Sequence, residues 1–80
     1  MNKYFTVYSK SGCKHCDRAV AALQLAEQKY VVYKLDVDFN REDFINQFGE
    51  NSTFPQVSID GSSIGGANET IKYLQSNNLV

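Results

Sequence analysis

The chain has no tryptophan, one proline, one histidine and two cysteines among its 80 residues. Two cysteines are too few for the dense disulfide framework of small secreted domains. No long apolar run exists either. The longest, Ala19–Leu23, is far short of the roughly twenty residues that cross a bilayer, so no transmembrane segment is expected. The stretch from Met1 to Lys10 lacks an apolar signal core and a small-residue cleavage site, and a cytoplasmic location is expected by default. Charge of one sign is missing as well: eight basic and nine acidic residues give a net charge of −1, with no block of like charge. Nucleic-acid and anionic-membrane binding therefore lose their usual electrostatic support. The length predicts one domain over residues 1–80, with a thin core that buries about 60–65% of the unfolded surface.

Hydrophobic patterning predicts an alternating order of elements. Tyr4–Tyr8 is aromatic and β-branched, with Phe5 and Val7 on one side of the pleat, and reads as a strand followed by a polar loop over Ser9–Gly12. From Lys14 to Lys29, Cys16, Ala19, Val20, Leu23 and Ala26 recur at helical spacing, with Leu25 off the stripe. Val31–Val37 has the composition of a second strand, far enough from the first for a parallel crossover. Asn40 is placed to cap a short helix with Phe44, Ile45 and Phe48 inward and Gly49 at its end. Gln56–Ile59 and Ser62–Ile64, joined by Asp60-Gly61, read as a hairpin. A last helix is expected over Asn68–Ser76, capped by Asn68, with Ile71 and Leu74 inward. The order βαβαββα implies an α/β domain whose mixed sheet carries helices on its faces.

The two cysteines stand together in Cys13-Lys14-His15-Cys16. A bond between them closes a tiny loop and restricts the unfolded chain little, so the pair reads as chemical rather than structural. A thiol attacks a disulfide only as thiolate. At the expected start of the first helix, Cys13 meets unpaired N–H groups and the positive end of the helix dipole, and Lys14 adds a cation. Cys16, about one turn on, lies within disulfide reach of Cys13. The spacing thus assigns Cys13 as the attacking and Cys16 as the resolving thiol. Two other readings fit the same pair. Buried cysteines also serve as plain core residues. A structural zinc site needs four ligands where one chain offers Cys13, Cys16 and a His15 that would point away from a shared metal. The c-type haem signature fails because Asp17 stands where histidine is required.

Four segments in order carry a resemblance over nearly the whole chain: Ser9-Lys10-Ser11-Gly12, Cys13–Cys16, Thr53-Phe54-Pro55-Gln56 and Ile64-Gly65-Gly66-Ala67-Asn68-Glu69. Together they resemble the small dithiol glutaredoxins of the thioredoxin superfamily. The resemblance implies a thioredoxin-like fold, a four-stranded mixed sheet flanked by three helices, and a cis Phe54-Pro55 peptide facing the cysteines. It further implies that glutathione is the reducing co-substrate, with no obligatory cofactor and no metal. By the same resemblance the Phe54 main chain pairs with the cysteinyl unit of glutathione beside Pro55. Gly66 leads to Ala67 and Asn68, whose amides take the γ-glutamyl carboxylate, and Lys10 and Arg41 meet the glycine carboxylate. A helix N-terminus behind glycines does admit an anion closely. His15 replaces a tyrosine that commonly lines the glutathione groove, and Lys14 replaces a proline.

The function implied is glutathione-dependent reduction of protein disulfides and of glutathione mixed disulfides, a part of electron transport and cell redox homeostasis. The protein would be a monomer whose partners are glutathione and disulfide-containing or glutathionylated proteins, ribonucleotide reductase being one family-level example. Two alternatives use the same cysteines. One is a small redoxin reduced by thioredoxin reductase. The other is a dimer holding a glutathione-ligated [2Fe-2S] cluster through Cys13 of each chain.

Overall fold

The structure is a computed structural model that describes residues 3–79. Its elements are β1 (Tyr4–Ser9), α1 (Lys14–Leu25), β2 (Lys29–Lys34), α2 (Arg41–Phe48), β3 (Gln56–Ile59), β4 (Ser62–Gly65) and α3 (Ala67–Ser76). The sheet order is β2-β1-β3-β4. β1 runs parallel to β2 and antiparallel to β3, and β4 closes the hairpin with β3. This is the βαβαββα thioredoxin-like arrangement. Among the described residues no helix is long and apolar enough to cross a membrane.

One face of the sheet packs under α1 and α3. Phe5 and Val7 of β1 pair in register with Ile59 and Val57 of β3, so all four point the same way. They meet Ala19 and Leu23 of α1 and Ala67 and Leu74 of α3 in one buried cluster. Each fully buried Leu contributes about 1.5–3 kcal/mol relative to exposure. Thr70, also fully buried, satisfies its hydroxyl by donating to the Gly66 carbonyl at 2.9 Å.

The opposite face carries an aromatic layer. Tyr8, whose side chain alternates with that of Val7, meets Phe39 and Phe48 edge-on at 5.4 and 5.1 Å between ring centroids. Phe44 of α2 is buried between Phe48 and Phe54, while Ile45 and Phe48 are half-buried. The cap of α2 is as expected: Asn40 Oδ1 accepts the Asp43 N–H at 2.8 Å, and Gly49, at φ 103°, ends the helix.

Several boundaries differ from expectation: β1 runs on to Ser9 and β4 to Gly65, each one residue further than expected. α1 stops at Leu25 instead of Lys29, because Glu27 takes φ 55° and the Gln28 N–H closes the helix end onto the Leu23 carbonyl. Leu25 itself is exposed, consistent with its place off the stripe. β2 spans Lys29–Lys34 rather than Val31–Val37, since its register is set by pairing with the whole of Tyr4–Ser9. A turn then folds Val37 and Asp38 back onto the Lys34 carbonyl. α3 begins at Ala67 with Gly66 as its cap, so Asn68 lies inside the first turn and does not cap it.

Phe44 joins α2 to the segment that leads into β3. Phe44→Ala is expected to destabilise the fold by about 3 kcal/mol, read as a lowered urea midpoint by circular dichroism. An unchanged midpoint would mean that the aromatic layer is not part of the core.

Candidate functional site

Cys13 is the N-cap of α1. Gly12, at φ 70°, turns the chain into the helix, and Cys13 itself is extended at φ −100°, ψ 105°. Its carbonyl accepts the Asp17 N–H at 3.1 Å, the first bond of the helix. Its Sγ accepts the Cys16 N–H, also at 3.1 Å. The side chain of Cys13 therefore stands among the unpaired amides of the helix start, as the spacing predicts. The two cysteines form a disulfide with 5.2 Å between their Cα atoms. Cys16 is 3% exposed against 8% for Cys13, so Cys13 is the less enclosed residue of the pair. Lys14 and His15 are exposed between them.

A second wall is formed by Thr53-Phe54-Pro55, with a cis peptide between Phe54 and Pro55. The Phe54 ring stacks on Phe44 at 4.2 Å and 14° between planes, and Lys10 Nζ lies 5.5 Å from the Phe54 centroid. The segment is thus held from beneath by the aromatic layer and carries a cation at one edge.

The third wall is the start of α3. Gly66 has no side chain with which to cap it, so the Ala67 and Asn68 amides have no acceptor within the helix. The Gly66 N–H is taken by Glu69 Oε1 at 2.8 Å. A Cβ on Gly66 would come within 3.4 Å of the Pro55 carbonyl oxygen, so glycine lets the two walls approach.

The second and third walls, with His15 of α1, enclose a groove of about 170 Å³ lined by His15, by Thr53-Phe54-Pro55 and by Gly66-Ala67-Asn68-Glu69; neither cysteine is in this lining. The structure thereby brings together His15, Phe54, Pro55, Gly66, Ala67 and Asn68, while Lys10 stands over Phe54. Arg41, the first residue of α2, is exposed and outside this lining. A larger cavity, of about 380 Å³, lies between α1 and β2 and is lined in part by Lys10, Cys16, Val20 and Val32. The smaller groove is the better ligand site because it gathers uncapped amides, a cis-proline turn and polar side chains. Among the described residues no three His, Cys, Asp or Glu side chains cluster as a metal site.

Arg18 is the residue that sequence reasoning missed. Its Nη2 donates to Asn68 Oδ1 at 3.1 Å, and its Nη1 lies 3.4 Å from His15 Nδ1. The three-residue step from His15 puts the two on one helix face and was a usable local signal. Nothing local announces the bond to Asn68 in another helix.

A sequence model of the glutaredoxin family matches residues 5–64. Glutaredoxin 1 of Rickettsia typhi (strain ATCC VR-144 / Wilmington) is 31% identical over 78 residues, covering 91% of this chain and 72% of that protein. Glutaredoxin-C8 of Oryza sativa subsp. japonica is 30% identical over 79 residues, covering 92% of this chain and 58% of that protein. This chain thus spans less than two thirds of the rice relative, and 57% of Glutaredoxin-C4 of Arabidopsis thaliana. Among solved structures, oxidized glutaredoxin 2 from Chlamydomonas reinhardtii superposes with a TM-score of 0.71 at 29% identity, over 96% of this chain and 76% of that one. A buckwheat glutaredoxin-glutathione complex gives 0.76 at 25% identity, over 94% and 71%.

Gly65 is the hinge of the third wall. It adopts φ 115°, and a Cβ there would fall 2.8 Å from Glu69 Cγ. Gly65→Ala is expected to cost about 1–3 kcal/mol of stability and to push Glu69 off the Gly66 N–H. Faster hydrogen exchange at Gly66 would report that loss, and unchanged exchange and stability would contradict it.

Proposed function

The chain belongs to the glutaredoxin family, and from that membership we propose that it is a glutathione-dependent thiol–disulfide oxidoreductase acting on protein disulfides and glutathione mixed disulfides. The observation that carries the reading is Cys13 Sγ at the cap of α1, accepting the Cys16 N–H and bonded to Cys16. A donor aimed at this sulfur stabilises negative charge on it.

The cycle runs from the reduced dithiol. The Cys13 thiolate attacks one sulfur of the substrate disulfide, a new S–S bond forms, and the displaced thiolate leaves with the electron pair and takes up a proton. Cys16 loses its proton and attacks Cys13 Sγ. The substrate's second thiol is released, and the Cys13–Cys16 disulfide, the state of the present structure, results. One glutathione thiolate then attacks Cys13 Sγ, freeing the Cys16 thiol. A second attacks the sulfur of the bound glutathione, restoring Cys13 and releasing glutathione disulfide. A substrate disulfide and two glutathiones become two substrate thiols and glutathione disulfide. When the substrate is a glutathionylated cysteine, Cys13 suffices with one further glutathione.

The groove supplies the tripeptide's site. The main chain at Phe54 pairs with the cysteinyl unit, the Ala67 and Asn68 amides take the glutamyl carboxylate, and Lys10 takes the glycine carboxylate. Gly66 and Pro55 allow the approach, and His15 lines the wall beside Cys13. Arg41, at the start of α2, is the second cation proposed for the glycine carboxylate; like Lys10 it stands outside the groove's lining. The buckwheat protein solved with glutathione supports the choice of ligand.

The test is turnover coupled to glutathione, glutathione reductase and NADPH, with hydroxyethyl disulfide, a glutathionylated peptide and a protein disulfide as substrates. Cys13→Ser is expected to lose all three activities. Cys16→Ser is expected to keep deglutathionylation and lose reduction of the protein disulfide. Activity surviving in Cys13→Ser, or turnover supported by thioredoxin reductase but not by glutathione, would overturn the proposal.

A further inference from the structure

The exchange steps make no use of Arg18, which is not itself in the groove's lining, yet its guanidinium contacts two residues that are. It belongs to α1 and binds Asn68 of α3, fifty residues on, while its other terminal nitrogen faces His15. Both contacted residues line the groove, from different walls. A guanidinium only donates, so Asn68 Oδ1 and His15 Nδ1 are its acceptors, and most of its five N–H groups remain for another partner.

The charge balance around the start of α3 gives this arrangement a purpose. Glu69 lines the groove and holds the Gly66 N–H. An incoming carboxylate seated on the Ala67 and Asn68 amides therefore meets a carboxylate already there. Asn68 brings no compensating charge. Arg18, tied to Asn68, is the cation that stands at this end, whereas Lys10 lies at the Phe54 end. Uncapped amides and a partly uncommitted guanidinium thus both stand beside Asn68, a pairing suited to a carboxylate.

We infer that Arg18 is a specificity-determining residue that recognises the glutamyl α-carboxylate of glutathione, so that the groove selects γ-glutamyl-cysteinyl disulfides over disulfides of the same thiol without the glutamyl group. The inference rests on the glutathione reading above and adds the side chain that sets the preference. The covalent steps are unchanged.

The test is a single turnover without added glutathione. The protein, reduced with dithiothreitol and desalted, is mixed with one peptide carried as a mixed disulfide with either glutathione or cysteinylglycine, and release of the peptide thiol is timed. Wild type is expected to prefer the glutathione disulfide. Arg18→Gln is expected to lower its rate constant for that substrate about tenfold and to slow the cysteinylglycine reaction much less, so that the preference shrinks. Arg18→Lys keeps the charge without the planar fork and is expected to fall between them. Added salt is expected to reduce the wild-type preference. If Arg18→Gln keeps the full preference, or slows both substrates equally, Arg18 does not read the glutamyl group and the inference falls while the glutathione reading stands. If the wild type treats both disulfides alike, the glutathione reading fails and takes this inference with it.

Discussion

At the start of α1 a sulfur atom occupies the place that an oxygen takes at most helix caps. Cys13 Sγ accepts the Cys16 N–H, and the geometry of the site follows from that bond. It sets Cys13 in the extended conformation before the helix and puts its sulfur on the helix axis side where amides are unpaired. It also holds the next cysteine one turn away, within bonding distance. A neutral sulfur is a weak acceptor, so as a cap it stabilises the helix less than an Asn, Asp or Ser would. The interaction strengthens when the sulfur carries charge. The cap that is poor for folding is therefore good for the ionised nucleophile.

The three helices end differently at their N-termini, and the differences sort by role. α2, away from the groove, is closed by Asn40 Oδ1 on the Asp43 N–H. α1 is closed by the reactive sulfur. α3 has a glycine cap, and Glu69 reaches back to the Gly66 N–H, which leaves the first-turn amides of Ala67 and Asn68 open. The helix whose start is finished with an ordinary cap is the one remote from the chemistry. The two helices whose starts lack an ordinary oxygen cap lie on one face of the sheet, and residues of both line the groove. Packing offsets the loss: α1 and α3 are anchored by Ala19, Leu23 and Leu74, all fully buried.

Much of this was legible in the chain because the signals are local. Asn40 and Gly49 bracket α2, Asp60-Gly61 marks the hairpin, and the cysteine spacing places both sulfurs at a helix start. What was not legible depends on contacts distant in sequence. The end of α1 is set by Glu27 in a left-handed conformation that the residue type does not announce. The bounds of β2 come from its pairing with β1, not from where its β-branched residues stop. Asn68 has the composition of a cap, but the helix starts at Ala67 with Gly66 as its cap, and Glu69 reaches back to the Gly66 N–H from within the first turn. Arg18 became part of the site only when the fold set α1 beside α3.

The aromatic layer extends the constraint across the sheet. Phe54 belongs to the groove by its main chain and to the other face by its ring, which lies on Phe44 and near Phe39. The turn containing Pro55 is thus fixed by packing from a helix that contributes nothing to the groove. In a domain this thin no residue lies far from either surface, so the parts of the site are supported through shared side chains rather than a separate inner shell. Phe54 joins the layer to the proline turn, Gly66 joins that turn to α3, and Asn68 joins α3 to Arg18 on α1. The chain of contacts closes on α1, the helix that carries Cys13.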